Sequence, residues 1–265
     1  MDKAARYVWV FGTTWSGTDT RKDYVVLKLN ADTGAPVWTN GPNIFNNGIR
    51  TGEPNDEEAA DMFVDEAGNV FVTGSVGNPN IGGSWDYYTV VYDQDPINPA
   101  SVTIRAGWPQ ELNHNGQDDF GVAIGVDSTG KPVVTGQVAV DQTRDRQWLT
   151  IQYSANGTTV WSREYGNLIG SPEDVQKTEA PTDLVIDKDD SIYVCGYVDM
   201  AEGDATDLAM AAQKYLSDGD EPWNLDGFPG TVLNSTAGDD RANAIRLECD
   251  PSGAAIAAVI AGEWA

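Results

Sequence analysis

Apolar runs that end in glycine recur along this chain at a nearly constant interval. They are VWVFG (Val8–Gly12), VFVTG (Val70–Gly74), VVTG (Val133–Gly136) and YVCG (Tyr193–Gly196), and their glycines lie 62, 62 and 60 residues apart. Short apolar runs bounded by turn-forming residues are typical of strands rather than helices. A regular interval of this length predicts a repeat architecture.

Each repeat unit contains four such runs. The first ends in Asp, as in ADMFVD (Ala60–Asp65), and a tight turn separates it from the glycine-ended run. The third alternates between apolar and polar residues, as in QWLTIQY (Gln147–Tyr153), which is typical of a half-buried strand. The fourth ends in Trp, and in the second unit the insertion Asp95–Ala106 precedes the tryptophan, Trp108. The other tryptophans follow a glycine at Gly-x-x-x-Trp spacing: Gly34 to Trp38, Gly157 to Trp161 and Gly219 to Trp223.

Four short antiparallel strands in a strict repeat predict an all-β fold, a β-propeller of four-stranded blades. We expect four to five repeats of about 62 residues with incomplete terminal blades. The chain is interpreted as a single propeller domain, 1–265, with units of approximately 1–50, 51–112, 113–170, 171–235 and a partial unit, 236–265. The recurring Trp and Tyr residues should pack blade against blade. Val72, Val134 and Val194 should be equivalent buried residues of the second strands.

The two ends of the chain are out of phase with the repeat. The N-terminal region supplies a second strand, Tyr7–Phe11, and the C-terminal region a first strand, Ala244–Cys249. If these two strands share a blade, the chain closes its own ring. Otherwise it is part of a longer propeller or is completed by another chain. The surplus apolar strand Ala255–Ala261 should be covered within the chain or paired with another copy, because a bare apolar edge promotes association.

Composition narrows the range of partners. The formal net charge is −25, and such a surface repels nucleic acid and anionic membranes. No stretch reaches the roughly 18 apolar residues of a membrane helix, so membrane insertion is not expected. The two cysteines, Cys195 and Cys249, cannot define a disulfide framework. The start, MDKAARYVWV, lacks the apolar core of a signal peptide.

The unit AIGVDSTGKPVVTG (Ala123–Gly136), followed by a strand ending in Tyr and a Gly-x-x-x-Trp turn, resembles the bacterial and archaeal SBBP-type β-propeller repeat. The resemblance covers nearly the whole chain. It implies a secreted or surface-attached module, often part of a larger polypeptide, and it implies no particular activity. The blade number, the last unit and the insertion Asp95–Ala106 depart from the pattern.

Acidic residues precede each first strand, and repetition should place them along one rim. Carboxylate oxygens there could bind calcium, although Asp residues at such corners commonly accept hydrogen bonds from backbone N–H groups instead. The calcium candidates are Asp118, Asp119, Asp239 and Asp240. Further acidic residues of this set are Asp56, Glu57, Glu58, Glu173, Asp174 and Glu179.

No catalytic constellation stands out. His114 is the only histidine, and a lone histidine cannot form a multi-histidine zinc site. Trp15 and Trp85, expected between the second and third strands, are candidates for binding a glycan or peptide. The leading hypothesis is a non-enzymatic binding or assembly module of an extracellular or surface protein, with a protein, a glycan or copies of itself as partner. The alternative is a propeller hydrolase or lyase that uses acidic residues at the central channel.

Overall fold

The computed structural model describes residues 7–15, 22–37, 43–45, 56–78, 84–98, 101–140, 146–166, 179–200, 207–223, 231–233 and 238–263. In these ranges the chain forms eighteen β-strands, and the secondary structure includes no helix. No helix of the described part is therefore long and apolar enough to cross a membrane. The all-β prediction is confirmed for this part of the chain.

The strands form five small antiparallel sheets, which we number in chain order. Sheet 1 contains β1 (Tyr7–Trp15), β2 (Lys22–Asn30) and β3 (Asn43–Phe45). Sheet 2 contains β4 (Glu57–Val64), β5 (Val70–Asn78), β6 (Ser84–Gln94), β7 (Val102–Ile104) and β8 (Gln110–Leu112). Sheet 3 contains β9 (Phe120–Val126), β10 (Pro132–Ala139), β11 (Arg146–Tyr153) and β12 (Thr159–Tyr165). Sheet 4 contains β13 (Ala180–Ile186), β14 (Ile192–Asp199), β15 (Leu208–Tyr215) and β16 (Thr231–Leu233). Sheet 5 contains β17 (Arg241–Cys249) and β18 (Ala255–Glu263).

Sheets 3 and 4 have the predicted four-strand order, in which each strand pairs with the next along the chain. In sheet 2 the insertion Asp95–Ala106 contributes the short strand β7, which pairs with the end of β6. The fourth strand, β8, pairs with an earlier part of β6, where Tyr87 lies opposite Leu112. The insertion therefore extends the sheet without displacing its fourth strand.

The Asp that ends each first run closes the hairpin to the second strand. In sheet 3, Asp127 Oδ1 accepts hydrogen bonds from the backbone N–H groups of Thr129 at 2.8 Å and Lys131 at 2.9 Å. Gly130 has φ of +80°, a conformation that favours glycine. Asp187 and Asp250 accept equivalent pairs of hydrogen bonds in sheets 4 and 5. Stabilisation of this turn therefore explains why Asp recurs at the end of each first strand.

The predicted core valines are confirmed, since Val72, Val134 and Val194 are fully buried on the second strands. Tryptophans pack between successive sheets as expected. Trp108 of the sheet 2 unit donates from Nε1 to the carbonyl oxygen of Ala155 at 3.0 Å. Trp161 of sheet 3 donates to the carbonyl oxygen of Ser217 at 3.2 Å in the same way. The equivalent Trp38 lies outside the described residues.

The predicted terminal strands are also present. β17 contains Ala244–Cys249 and pairs with β18, and Gly262 lies opposite Ala242 as Gly74 lies opposite Ala59 in sheet 2. This hairpin is longer than that of sheet 2, since eight residues separate Ala242 from Asp250 and six separate Ala59 from Asp65. A further register shift between Glu248 and Cys249 adds one more residue to β18. β1 pairs with β2, so in the described residues β1 and β17 belong to different sheets.

Candidate functional site

The first strands of sheets 2 to 5 lie side by side, with β9 between β4 and β13 and with β17 next to β13. In each of these sheets the pairing between the first and second strands contains a register shift. The shift lies at Ala59/Asp61 in sheet 2, at Pro181/Asp183 in sheet 4 and at Ala242/Ala244 in sheet 5. These β-bulges redirect the side chains that follow them. In sheets 2 and 4 that side chain is an aspartate.

Asp61 and Asp183 make the same set of hydrogen bonds. Asp61 Oδ1 accepts from the N–H of Met62 at 2.8 Å, and its Oδ2 accepts from the N–H of Ile124 on β9 at 2.9 Å. Asp183 Oδ1 accepts from the N–H of Leu184 at 2.9 Å, and its Oδ2 accepts from Ile245 on β17 at 3.0 Å. Each carboxylate therefore binds the unpaired edge of the next sheet's first strand.

Arg246 of β17 completes a group that we call the central cluster: Asp61, Asp183 and Arg246. Arg246 Nη1 donates to Asp183 Oδ2 at 2.7 Å. Burial raises the pKa of Asp61, the charge of Asp183 raises it further, and Arg246 opposes this. Residues of three different sheets thus interact electrostatically across the first strands.

Close packing in the same region explains why glycine recurs at the end of each second strand. A Cβ atom on Gly136 would overlap the carbonyl oxygen of Phe120 and would approach Tyr87 Cε1 of sheet 2 to 2.5 Å. On Gly196 it would lie 2.7 Å from Pro181 Cα and 2.8 Å from the Trp148 ring of sheet 3. Glycine is therefore required where the second strand meets both the bulged first strand and an aromatic ring of the preceding sheet.

The first acidic residue of each rim pair bonds to the preceding sheet. Asp56, Asp118 and Asp239 accept hydrogen bonds from the backbone N–H groups of Lys22, Trp85 and Leu208, at 3.0, 2.9 and 3.3 Å. Each of these three donors is the first or second residue of its strand. The strands are β2, β6 and β15, which correspond to the third strand of the repeat unit. Asp118 also faces Arg146 at 3.6 Å, and Asp239 faces Arg241 at 3.2 Å. In all three cases the carboxylate satisfies a backbone N–H group at the start of a strand.

The second acidic residue of each pair is buried. Glu57 accepts from the N–H of Tyr24 at 2.8 Å, and burial raises its pKa to about 8, with a further contribution from Asp23. Asp119 accepts from the N–H groups of His114 and Ala139, and burial raises its pKa to about 7. Asp240 is fully buried at the equivalent position.

The calcium candidates are thus brought to the junctions between sheets, as pairs rather than as one set. Among the described residues, no group of three or more His, Cys, Asp or Glu side chains is placed to hold a metal ion. The calcium site stays a prediction. Glu173 and Asp174 lie outside the described residues.

The remaining candidate residues lie apart from the central cluster. Trp85 is in β6, where its ring would be 3.6 Å from a Cβ on the opposite residue, Gly77. Trp15 ends β1, and its side chain lies outside the described residues. His114 lies in the loop before β9, where its backbone binds Asp119. Cys195 is buried, with its pKa raised to about 11 by desolvation, and Cys249 is an exposed free thiol.

An open depression of about 480 Å³ lies at the turns of sheets 3 and 4, away from the central cluster. Arg163 on its wall donates to the carbonyl oxygen of Gly219 at 2.9 Å and faces Glu221 at 3.9 Å. The lining residues are Arg163, Leu216, Gly219, Asp220, Glu221 and Pro222.

Sequence reasoning missed the central cluster. The signal was present, since Asp61 and Asp183 each lie four residues before the Asp that closes the hairpin, Asp65 or Asp187. Arg246 lies four residues before Asp250, the Asp that closes the hairpin of sheet 5, so the same spacing marks all three members of the cluster.

Comparison with known proteins gives little further guidance. No protein-family model matches the chain, and no curated protein matches it. Among solved structures, the chain is similar to a levansucrase variant from B. megaterium, with 9% sequence identity and a TM-score of 0.39. The match covers 89% of this chain and 72% of that chain. A similarity at this level identifies neither a family nor an activity.

Proposed function

We propose that this protein is a β-propeller scaffold whose sheets are the blades, serving as a non-enzymatic binding or assembly module of an extracellular or surface protein. The propeller is supported by the adjacent first strands and by the tryptophans between successive sheets. The extracellular location is what the resemblance of the repeat implies, and a glycan or protein partner is what the candidate residues Trp15 and Trp85 suggest.

One observation carries the non-enzymatic assignment. Every carboxylate oxygen of Asp61 and Asp183 accepts a backbone N–H within its own sheet or from the next one. A general acid, a general base or a nucleophile must instead have an oxygen within reach of a substrate. These two aspartates hold neighbouring sheets together through hydrogen bonds from backbone N–H groups, which is a structural role.

The alternative, a propeller hydrolase or lyase, also has an observation in its favour. Asp61 is a carboxyl group with a raised pKa near a second carboxylate and an arginine, and such perturbed groups cluster at active sites. In that case Asp61 would donate a proton and Asp183 would act as its ionised counterpart.

Turnover measurements separate the two functions. The purified protein would be incubated with a panel of glycosides and uronic-acid polysaccharides, and the same panel immobilised as a glycan array would report binding. The scaffold function predicts no turnover, with or without Asp61→Asn. Turnover that Asp61→Asn and Asp183→Asn abolish, while both variants keep the wild-type circular dichroism spectrum, would overturn it.

A further inference from the structure

Two of the junctions between sheets contain a second buried carboxyl group, which the third strand of the preceding sheet supplies. These residues, Asp23 in sheet 1 and Asp86 in sheet 2, begin the third runs DYVVLKL and DYYTVVY. The same position is occupied by Gln147 in the run QWLTIQY of sheet 3 and by Ala209 in the run AMAAQKY of sheet 4. The repeat therefore does not require an acid at this position.

At the junction of sheets 1 and 2, Asp23 lies beside Glu57. Both are buried, with 4% and 1% of their surface exposed. Glu57 accepts the N–H of Tyr24, the residue that follows Asp23, and the charge of Asp23 adds to the effect of burial in raising the pKa of Glu57. Asp23 Oδ2 is buried and has no hydrogen-bond partner among the described residues. A buried ionised oxygen without a partner is costly, so this pair disfavours the packed state when both groups are ionised.

At the junction of sheets 2 and 3, Asp86 and Asp119 are completely buried. They bind neighbouring residues of one loop, since Asn113 Nδ2 donates to Asp86 Oδ1 at 2.9 Å and the N–H of His114 donates to Asp119 Oδ2. Burial raises the pKa of Asp119, Asp86 raises it further, and Arg146 opposes this. Two junctions therefore contain the same arrangement of paired carboxyl groups.

The cations at these junctions are paired with carboxylates of the rim. The charged or titratable side chains around the first pair are Lys22, Tyr24, Asp56, Glu58 and Tyr92, and those around the second are His114, Asp118 and Arg146. Lys22 binds Glu58 at 2.6 Å, and Arg146 lies 3.6 Å from Asp118. Neither buried pair is therefore the direct partner of a cation in these contacts.

We propose that the junctions of sheets 1 and 2 and of sheets 2 and 3 are pH-sensitive contacts, which open locally as the pH rises while each sheet keeps its own strands paired. In the packed state one carboxyl group of each pair holds a proton. In the open state water solvates both groups, and the proton is released to the solvent. The packing of the first three sheets, and any binding surface that they form, then follows the pH.

The direction of the effect follows from the two pKa values in the packed state. Burial raises the pKa of Glu57 to about 8 and that of Asp119 to about 7, whereas both groups ionise at ordinary carboxyl values once water reaches them. Opening therefore releases a proton, and its equilibrium constant should rise about tenfold per pH unit above the ordinary carboxyl range. The rise should end near pH 8 at the first junction and near pH 7 at the second.

Hydrogen exchange followed by NMR measures the opening of each junction separately. The N–H of Tyr24 reports the first junction because it donates to Glu57, and the N–H of Asp119 reports the second because it donates to the carbonyl oxygen of Trp85 at 2.6 Å. The N–H of Val194, on the central strand β14 of sheet 4, reports the unfolding of a whole sheet.

The protection factor of each N–H, which corrects for the pH dependence of the exchange chemistry itself, is the measured quantity. For Tyr24 and Asp119 it should fall about tenfold per pH unit and should lie below that of Val194 at every pH. Low concentrations of urea should reduce the protection of Val194 but not that of the two junction groups, because local opening exposes little surface.

Three variants test the assignment to the carboxyl pairs. Glu57→Gln should abolish the pH dependence at Tyr24 and leave that at Asp119 unchanged. Asp23→Asn should move the end of the rise at Tyr24 to lower pH, because it removes the charge that adds to the pKa of Glu57. Asp93→Asn is the matched control, since the Asp93 side chain is 43% exposed on β6, and it should behave like the wild type.

Three results would overturn the inference. They are a protection factor of Tyr24 that does not change with pH, an equal pH dependence in the wild type and Glu57→Gln, and a Tyr24 N–H that matches Val194 in protection and in urea dependence. The inference does not depend on the proposed function, because glycoside turnover would refute the scaffold function and leave the junctions unaffected.

Discussion

Replacing the repeating glycine by alanine should have opposite consequences in sheets 3 and 1. In Gly136→Ala the new methyl group overlaps the Phe120 carbonyl oxygen and lies 2.5 Å from Tyr87 Cε1. Neither neighbour can easily move, because Phe120 is paired in β9 and Tyr87 is 1% exposed. Overpacking of a close-packed core costs about 1–3 kcal/mol, and two overlaps place this variant near the upper end.

Part of this cost is offset. Alanine restricts the unfolded chain more than glycine does, which stabilises the folded state by about 0.4–1 kcal/mol. The expected net loss is about 2 kcal/mol, or a decrease in melting temperature of roughly 4–8 °C for a chain of this size. In Gly12→Ala the new methyl group meets no described residue within 4 Å, so only the favourable contribution remains and the melting temperature should stay equal or rise slightly.

Thermal unfolding followed by circular dichroism, at low protein concentration, measures both variants under the same conditions. Equal melting temperatures for Gly136→Ala and Gly12→Ala would refute the explanation of the glycine period, because the two residues would then have the same surroundings.

Three further predictions concern the junctions between sheets. The free energy of unfolding should fall from about pH 5 to about pH 8, because Glu57 keeps its proton in the folded state up to a pKa of about 8 and ionises at much lower pH when unfolded. In urea titrations, Glu57→Gln should weaken this dependence on pH and raise the free energy of unfolding by about 3–5 kcal/mol at the alkaline end. An unchanged dependence on pH would contradict the assignment of Glu57 as a buried, protonated carboxyl group. Millimolar calcium should leave the melting temperature at its value in chelator if Asp118 Oδ1 and both oxygens of Asp119, which accept backbone N–H groups, serve only as caps; a rise would instead support the predicted calcium site at the rim. Trp161→Phe should cost about 1–2 kcal/mol in denaturant unfolding by removing the hydrogen bond to Ser217, and an unaffected midpoint would argue against tryptophan packing between sheets.

The sequence was sufficient for the strands because each unit repeats the same local causes. The Asp-terminated run, the turn glycine and the glycine-ended run each have a short-range reason, visible in the hydrogen bonds of Asp127. Tryptophan packing was predictable for the same reason, since large aromatic residues at fixed places of a repeat are core residues.

The site was less predictable because it depends on contacts between units. Asp61 bonds to Ile124, which is 63 residues away, and no local pattern identifies that partner. Backbone N–H groups could be expected as the partners of Asp118 and Asp239, but the particular donors, Trp85 and Leu208 of the preceding sheets, are visible only in the structure. The glycine spacing of the last unit indicated a longer hairpin, but the pairing of β17 with β18 is visible only in the structure.

The central claim is that the carboxylates beside the first strands are structural. Its most direct test is the free energy of unfolding of Asp183→Ala, whose side chain bonds Leu184, Ile245 and Arg246. Loss of hydrogen bonds to a charged acceptor predicts a decrease of at least about 1.5–3 kcal/mol. An unchanged or increased free energy of unfolding would contradict the claim, because it would show that Asp183 is maintained at a cost to stability, as residues of an active site are.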